Sequence, residues 1–121
     1  MTKKILIVDD SESIRDVVNY TLETNGHNVL VGIDGKDAMK HLNGQHIDLI
    51  ITDLYMPNMD GISLIKHIRQ NESYKRTPIL FLTTESQQDK KMEAKSAGAT
   101  GWIVKPFIPE NLISVINKVL R

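Results

Sequence analysis

The chain has 121 residues, of which 40% are hydrophobic and 25% charged, and its fifteen basic side chains balance fifteen acidic ones. This predicts one domain over residues 1–121, without an overall charge that would attract nucleic acid or a membrane. The absence of cysteine excludes disulfides and thiolate metal sites. The first apolar run is only four residues long, too short for a signal peptide or a membrane span, so we expect a cytoplasmic protein.

The first half of the chain alternates short apolar runs with stretches of helical periodicity. The run ILIV ends at Asp9 and Asp10, and Ser11 is placed to cap a helix that ends near Gly26. Residues 28–33 predict a second strand, and a helix should follow the turn at Asp34 and end near Gly44. Residues 48–52 predict a third strand, which ends at Asp53 and is followed by a helix from Gly61.

The second half continues the same alternation. A fourth strand is predicted over 78–82, just before Thr83, and a fifth over 100–104, just before Lys105. The helix between them, about 86–97, has few apolar residues, so we expect it to be lightly anchored. Pro109 suits the first turn of a last helix. Five strands and five helices in strict alternation predict an α/β fold with a doubly wound parallel sheet and helices on both faces.

Polar residues follow four of the five predicted strands. In open α/β folds the functional crevice lies beyond the carboxyl ends of the strands, so Asp9, Asp10, Asp53, Thr83 and Lys105 should meet there. Asp9 and Asp10 alone would more often be a helix cap and a solvated charge. Asp53 changes that interpretation, because three crowded carboxylates favour a divalent cation and a lysine. Oxygen ligands without nitrogen or sulfur indicate Mg2+ rather than zinc.

Four motifs in register carry a resemblance that covers the whole chain: VDD at 8–10, ITDLYMPNMDG at 51–61, LTT at 82–84 and KPF at 105–107. Together they resemble the receiver domain of two-component response regulators, and within that family the single-domain chemotaxis regulators of the CheY type. The resemblance implies a flavodoxin-like sheet with strand order 2-1-3-4-5. It also implies that Asp53 accepts a phosphoryl group and that Lys105 and Thr83 contact the phosphoryl oxygens.

The resemblance further assigns the metal ligands. Asp10 and Asp53 are expected to bind Mg2+ directly, Asp9 mainly through water, and Tyr55 through its backbone carbonyl. Trp102 occupies the position of the family's switch aromatic, where better-known members carry tyrosine or phenylalanine.

Two further features follow from the resemblance. The Lys105–Pro106 peptide bond is expected to be cis. Tyr55 and Glu85 match the two variable positions that tune dephosphorylation.

The implied function is that of a phospho-accepting signalling protein that catalyses only its own phosphorylation and dephosphorylation. A CheA-like histidine kinase is the expected donor, and the flagellar motor switch the expected target of the face formed by the fourth helix, fifth strand and fifth helix. A phosphatase is a further expected partner. We expect a monomer without an output domain that binds neither nucleic acid nor a membrane.

Two other functions remain open at this point. A phosphorelay intermediate would use the same chemistry but pass the phosphoryl group from Asp53 to a histidine phosphotransfer protein. A flavin-binding electron carrier of the same topology is a remote alternative, because DDSES after the first strand places carboxylates where a flavin phosphate needs hydroxyls and glycines. A hydrolase of the phosphoaspartyl type would need a second aspartate where the chain has Tyr55.

Overall fold

The computed structural model describes residues 2–120, and these form a five-stranded parallel sheet in the order β2-β1-β3-β4-β5. The strands are β1 Lys4–Val8, β2 Asn28–Gly32, β3 Leu49–Thr52, β4 Ile79–Thr83 and β5 Gly101–Val104. The helices are α1 Glu12–Thr24, α2 Gly35–Ala38, α3 Gly61–Gln70, α4 Gln88–Ala97 and α5 Pro109–Val119. The predicted fold class and strand order are confirmed.

The core lies on both faces of the sheet because successive strand residues point to opposite sides. On one face, buried strand residues such as Leu6 and Ile50 pack with Leu64 and Ile65 of α3. On the other face, the buried strand residues pack with α1 and α5; this group comprises Ile5, Ile7, Leu49, Ile51, Val18, Leu22, Leu112 and Ile116. The three central strands are therefore apolar except for Lys4 at the start of β1 and Thr52 and Thr83 at the ends of β3 and β4, as expected for a parallel sheet covered on both sides.

The second helix is shorter than the sequence predicts. The prediction of a helix to about Gly44 is wrong, since α2 ends at Ala38 and a 3-10 turn, Met39–His41, follows. The His41 ring lies 3.0 Å from the carbonyl oxygen of Val31 on the outermost strand. That contact ties the 3-10 turn to β2 at the point where the α-helical hydrogen bonding has ended.

One residue of α1 also differs from its expected environment. The helical spacing of Ile14, Val17, Val18, Thr21 and Leu22 predicts one inward face. Val17 is nevertheless 46% exposed. Helix α1 rests on the sheet through Val18 and Leu22, and Val17 lies in the open groove between α1 and α5.

Within residues 2–120, no helix combines the length and the apolar character that crossing a membrane requires.

Candidate functional site

The predicted carboxylates meet beyond the carboxyl ends of β1 and β3. Val8 and Thr52 are register partners in these neighbouring strands, and the backbone N–H of Asp53 donates to the carbonyl of Val8 at 2.9 Å. Asp9 and Asp53 therefore leave adjacent strands side by side. Asp9, Asp10 and Asp53 each offer an oxygen atom, and these oxygens lie within 4.8 Å of one another.

Lys105 joins two of these carboxylates. Its Nζ donates to Oδ2 of Asp9 at 2.8 Å and to Oδ2 of Asp53 at 3.2 Å. The Lys105–Pro106 peptide bond is cis, which confirms that prediction. Burial lowers the pKa of Lys105, but the hydrogen bond to Asp9 and the charge of Asp53 outweigh it, so the pKa is raised overall. The lysine is therefore a fixed positive charge at the site.

Both the carboxylate and the backbone carbonyl of Asp9 accept hydrogen bonds from the protein. Its Oδ1 accepts the backbone N–H of Ser11 at 2.9 Å, and its carbonyl accepts Nη1 of Arg15 at 2.8 Å. Burial raises the pKa of Asp9, against the lowering effect of the Lys105 hydrogen bond. Asp10, by contrast, is exposed. No sequence pattern predicted the contact of Arg15, which is with a backbone carbonyl rather than a side chain.

The loop after Asp53 is tightly built. Oδ1 of Asp53 accepts the N–H of Leu54 at 2.7 Å, and the N–H of Gly61 returns to the carbonyl of Leu54, also at 2.7 Å. A Cβ at Gly61 would lie 2.4 Å from the carbonyl oxygen of Asp53, so α3 starts directly against the strand end. Asn58 adopts a φ of 72° and donates its side-chain amide to Asp34 at 2.8 Å. The loop is thus held by hydrogen bonds at its two ends and at Asn58 between them.

The loop after β4 converges on one residue, Glu85. Its backbone N–H donates to Oγ1 of the fully buried Thr83 at 3.3 Å, and its carbonyl accepts Nε1 of Trp102 at 2.9 Å. Its carboxylate accepts the hydroxyl of Tyr55. The ring of Trp102 lies against Phe81, with centroids 5.3 Å apart and the planes tilted by 49°. Thr83, Trp102 and the loop after Asp53 are therefore joined through Glu85.

The Tyr55–Glu85 hydrogen bond is the strongest influence on the acid–base behaviour of both residues. It raises the pKa of the Tyr55 hydroxyl and lowers the pKa of the Glu85 carboxyl. The sequence identified both positions only through the family resemblance. Pairing between residues 30 positions apart has no local signature in the sequence.

The donor set fits a hard divalent cation. Three carboxylates converge, no histidine or cysteine takes part, and one carboxylate, that of Asp10, faces solvent. Carboxylate oxygens with room for retained waters are what Mg2+ prefers.

Comparison with known proteins gives a consistent result. A profile of the response regulator receiver domain matches residues 5–117. The alkaline phosphatase synthesis regulator PhoP of Bacillus subtilis is 37% identical over 121 residues; the chain spans half of that protein's length. The crystal structure of the chemotaxis protein CheY4 of Vibrio cholerae has 46% identity and a TM-score of 0.95, with 99% of this chain and 100% of that one covered.

One solved relative contains a metal. The receiver domain of the sensor histidine kinase PA1611 from Pseudomonas aeruginosa, with magnesium coordinated in its active-site cleft, has 29% identity and a TM-score of 0.89. The match covers 98% of this chain and 97% of that one.

Proposed function

The chain belongs to the response regulator receiver domain family, and from that premise we propose that Asp53 accepts a phosphoryl group from a phosphohistidine of a partner kinase. The observation that carries the proposal is the position of the Lys105 ammonium between Asp53 and Asp9. A carboxylate with an adjacent fixed positive charge, at the edge of a crevice, suits attack on a phosphorus atom whose oxygens are negatively charged.

The transfer needs little from the protein beyond position and charge. A carboxylate oxygen of Asp53 forms a bond to phosphorus, the phosphorus–nitrogen bond breaks, and its electron pair leaves with the imidazole. Lys105 then contacts one oxygen of the new acyl phosphate, and the Thr83 hydroxyl donates to another. Water later attacks the same phosphorus atom, which releases phosphate and restores the carboxylate.

The metal would lie among the same carboxylates. We propose that Asp10 and Asp53 bind Mg2+ directly, that Asp9 acts mainly through water, and that the carbonyl of Tyr55 completes the protein ligands. When bound, Mg2+ would offset negative charge on the carboxylates and the phosphoryl oxygens. The magnesium in the PA1611 receiver domain supports this assignment.

Signal output would follow from the Thr83–Glu85–Trp102 connection. When Thr83 turns toward a phosphoryl oxygen, its hydrogen bond from Glu85 is disturbed and the face formed by α4, β5 and α5 changes. A target then binds the altered face more tightly, because phosphorylation shifts the population between two existing conformations.

The partners are proposed from the similarity to CheY4: a CheA-like kinase as donor and the flagellar motor switch as target.

The test is labelling with acetyl phosphate and Mg2+, followed by mass spectrometry of the intact protein. One phosphoryl group should be added to the wild type and none to Asp53→Asn. Asp60→Asn is the matched control, because it removes a carboxylate from the same loop and keeps a good capping residue for α3. Undiminished labelling of Asp53→Asn would show that another residue is the acceptor.

The metal assignment has a separate test in Mg2+ titration by calorimetry. Asp10→Ala should lose most of its Mg2+ affinity, whereas Asp9→Ala should lose less, because Asp9 acts through water and already binds Lys105 and Ser11. Equal, undamaged affinity in both variants would reject the site.

A further inference from the structure

Helix α4 is only lightly packed against the rest of the molecule. Ala94 is its one buried residue, and Met92 is 60% exposed. Packing against the sheet therefore does little to fix the position of this helix. Its behaviour depends on the hydrogen bonds at the two ends.

At the C-terminal end of α4, hydrogen bonds come from a single arginine, Arg69, in the last turn of α3. Nε and Nη2 of Arg69 donate to the carbonyl of Gly98 at 3.2 and 2.7 Å. Nη1 donates to the carbonyls of Tyr74, Lys75 and Thr77 at 3.0, 3.2 and 2.7 Å. None of the ion pairs within residues 2–120 involves Arg69. The guanidinium is used entirely to tie four backbone carbonyls together.

The chain leaving α4 is fixed on its other side as well. Gly98 adopts a φ of 116° and its N–H bonds back to the carbonyls of Ala94 and Lys95. Thr100 exchanges two hydrogen bonds with Ile79 at the start of β4, of 2.8 and 3.0 Å. The C-terminal end of α4 is thus joined to both α3 and the sheet.

In the part of the chain that the structure describes, the N-terminal end has no arginine of this kind, and the hydrogen bonds in the loop before the helix all involve Glu85, whose Oε2 accepts the backbone N–H groups of Ser86 and Gln87, both at 3.1 Å. Gln87 precedes the helix without a capping hydrogen bond from its side chain, and it is exposed together with Thr84 and Ser86. The connection to the rest of the molecule runs through Glu85, which Trp102 and Tyr55 hold. Glu85 is also the residue bonded to Thr83. The loosely held end of α4 is therefore the end that is linked to the phosphoryl site.

We propose that Arg69 is the positioning residue of the switch: it fixes the C-terminal end of α4, so that engagement of Thr83 swings the N-terminal end about Gly98. The helix pivots and does not slide. Displacement grows from Gly98 toward Gln88, and a partner that discriminates the two states does so at the N-terminal half of the helix. This inference rests on the phosphoryl-accepting function proposed above.

The absence of native cysteine permits a direct measurement on the full chain. Gln88→Cys and Lys95→Cys, both at exposed positions of α4, are each combined with Glu23→Cys on α1 and spin-labelled. Distances are measured by pulsed electron resonance with and without Mg2+ and beryllofluoride, a phosphoryl stand-in. The distance from 88 to 23 should shift, and the distance from 95 to 23 should not.

Arg69→Met in the same labelled proteins tests the role of the guanidinium. The 95-to-23 distance should now shift or broaden with beryllofluoride, while labelling of Asp53 by acetyl phosphate stays as in the wild type. Arg76→Met is the matched control, because Arg76 is an exposed arginine nearby, and it should behave as the wild type does.

Equal shifts at both positions in the otherwise wild-type protein would overturn the pivot, and this outcome needs no arginine variant. An Arg69→Met protein with an unchanged 95-to-23 distance would overturn the role of Arg69. Fluorine resonance on the same samples reports whether beryllofluoride is bound. Its absence from the site would overturn the proposed function, and the pivot with it; its presence with equal shifts would overturn the pivot alone.

Discussion

Helices α3 and α4 are neighbours on the same face of the sheet and each has ten residues, yet they are held in opposite ways. Helix α3 buries five residues and begins with the side chain of Asp60 bonded to the N–H of Ser63 at 2.8 Å. Helix α4 buries one and has no such cap. The helix that follows Asp53 is firmly packed, and the helix that follows Thr83 is lightly packed. A site that must both hold a group and report it needs both kinds of neighbour.

The largest expected effect is the loss of stability caused by truncating a buried side chain of α3. Ile65 is fully buried, so Ile65→Ala should lower the free energy of unfolding by about 2–5 kcal/mol through lost burial and the cavity left behind. Met92→Ala on the exposed side of α4 should change it by no more than about 0.5 kcal/mol. Urea unfolding of both variants measures the difference, and similar losses would contradict the contrast between the helices.

Replacing the residue before each helix should also destabilise the protein more at α3 than at α4, but by a smaller amount. Asp60→Ala removes the hydrogen bond to Ser63 and should cost about 1 kcal/mol of stability. Gln87→Ala removes no capping hydrogen bond and should be close to neutral. The same urea measurements serve here; a cost at Gln87 equal to that at Asp60 would mean that α4 is anchored at its start.

The fluorescence emission of Trp102 should report the response of the region around α4. Trp102 is the only tryptophan, and its indole N–H is bonded to the carbonyl of Glu85, whose N–H is bonded to Thr83. Adding Mg2+ and beryllofluoride should alter its emission in the wild type. Thr83→Ala should abolish most of that change and leave phosphorylation of Asp53 largely intact. Equal changes in both proteins would mean that Trp102 senses the ion site without Thr83.

The smallest effect concerns the hydrogen bond between Tyr55, in the loop after β3, and Glu85, in the loop after β4. The hydrogen bond that the Tyr55 hydroxyl donates to Glu85, together with the negative charge of that carboxylate, raises the pKa of Tyr55. Glu85→Gln should lower the pKa of Tyr55, because the neighbouring charge is lost. Titration of the tyrosine ring resonances measures it, and an unchanged pKa would show that the two side chains are apart in solution.

The alternation of strands and helices predicted that Asp9, Asp53 and Lys105 meet, because strand ends in a parallel sheet place the following residues at one edge. The order of the strands came from the family resemblance. The sequence did not predict the early end of α2, where His41 meets a strand ten residues away. Nor did it predict the contacts of Arg69 with Gly98 or of Arg15 with Asp9. In each of these a side chain binds a backbone carbonyl, and carbonyls are present at every residue, so no pattern of residue types marks the partner.

Gly61 has a consequence for chimeras made by recombining related chains. A methyl group there would lie 2.4 Å from the carbonyl oxygen of Asp53 and 2.5 Å from the ring of Phe81, which itself lies against Trp102. Crossovers between Asp53 and Gly61 would combine a loop and a helix start that were not fitted to each other. Crossovers near the exposed Asn43 and Gly44, where a Cβ at the glycine would meet nothing within 4 Å, leave that fit intact. The loop after Asp53 is therefore exchangeable only as a whole, together with Gly61, which closes it.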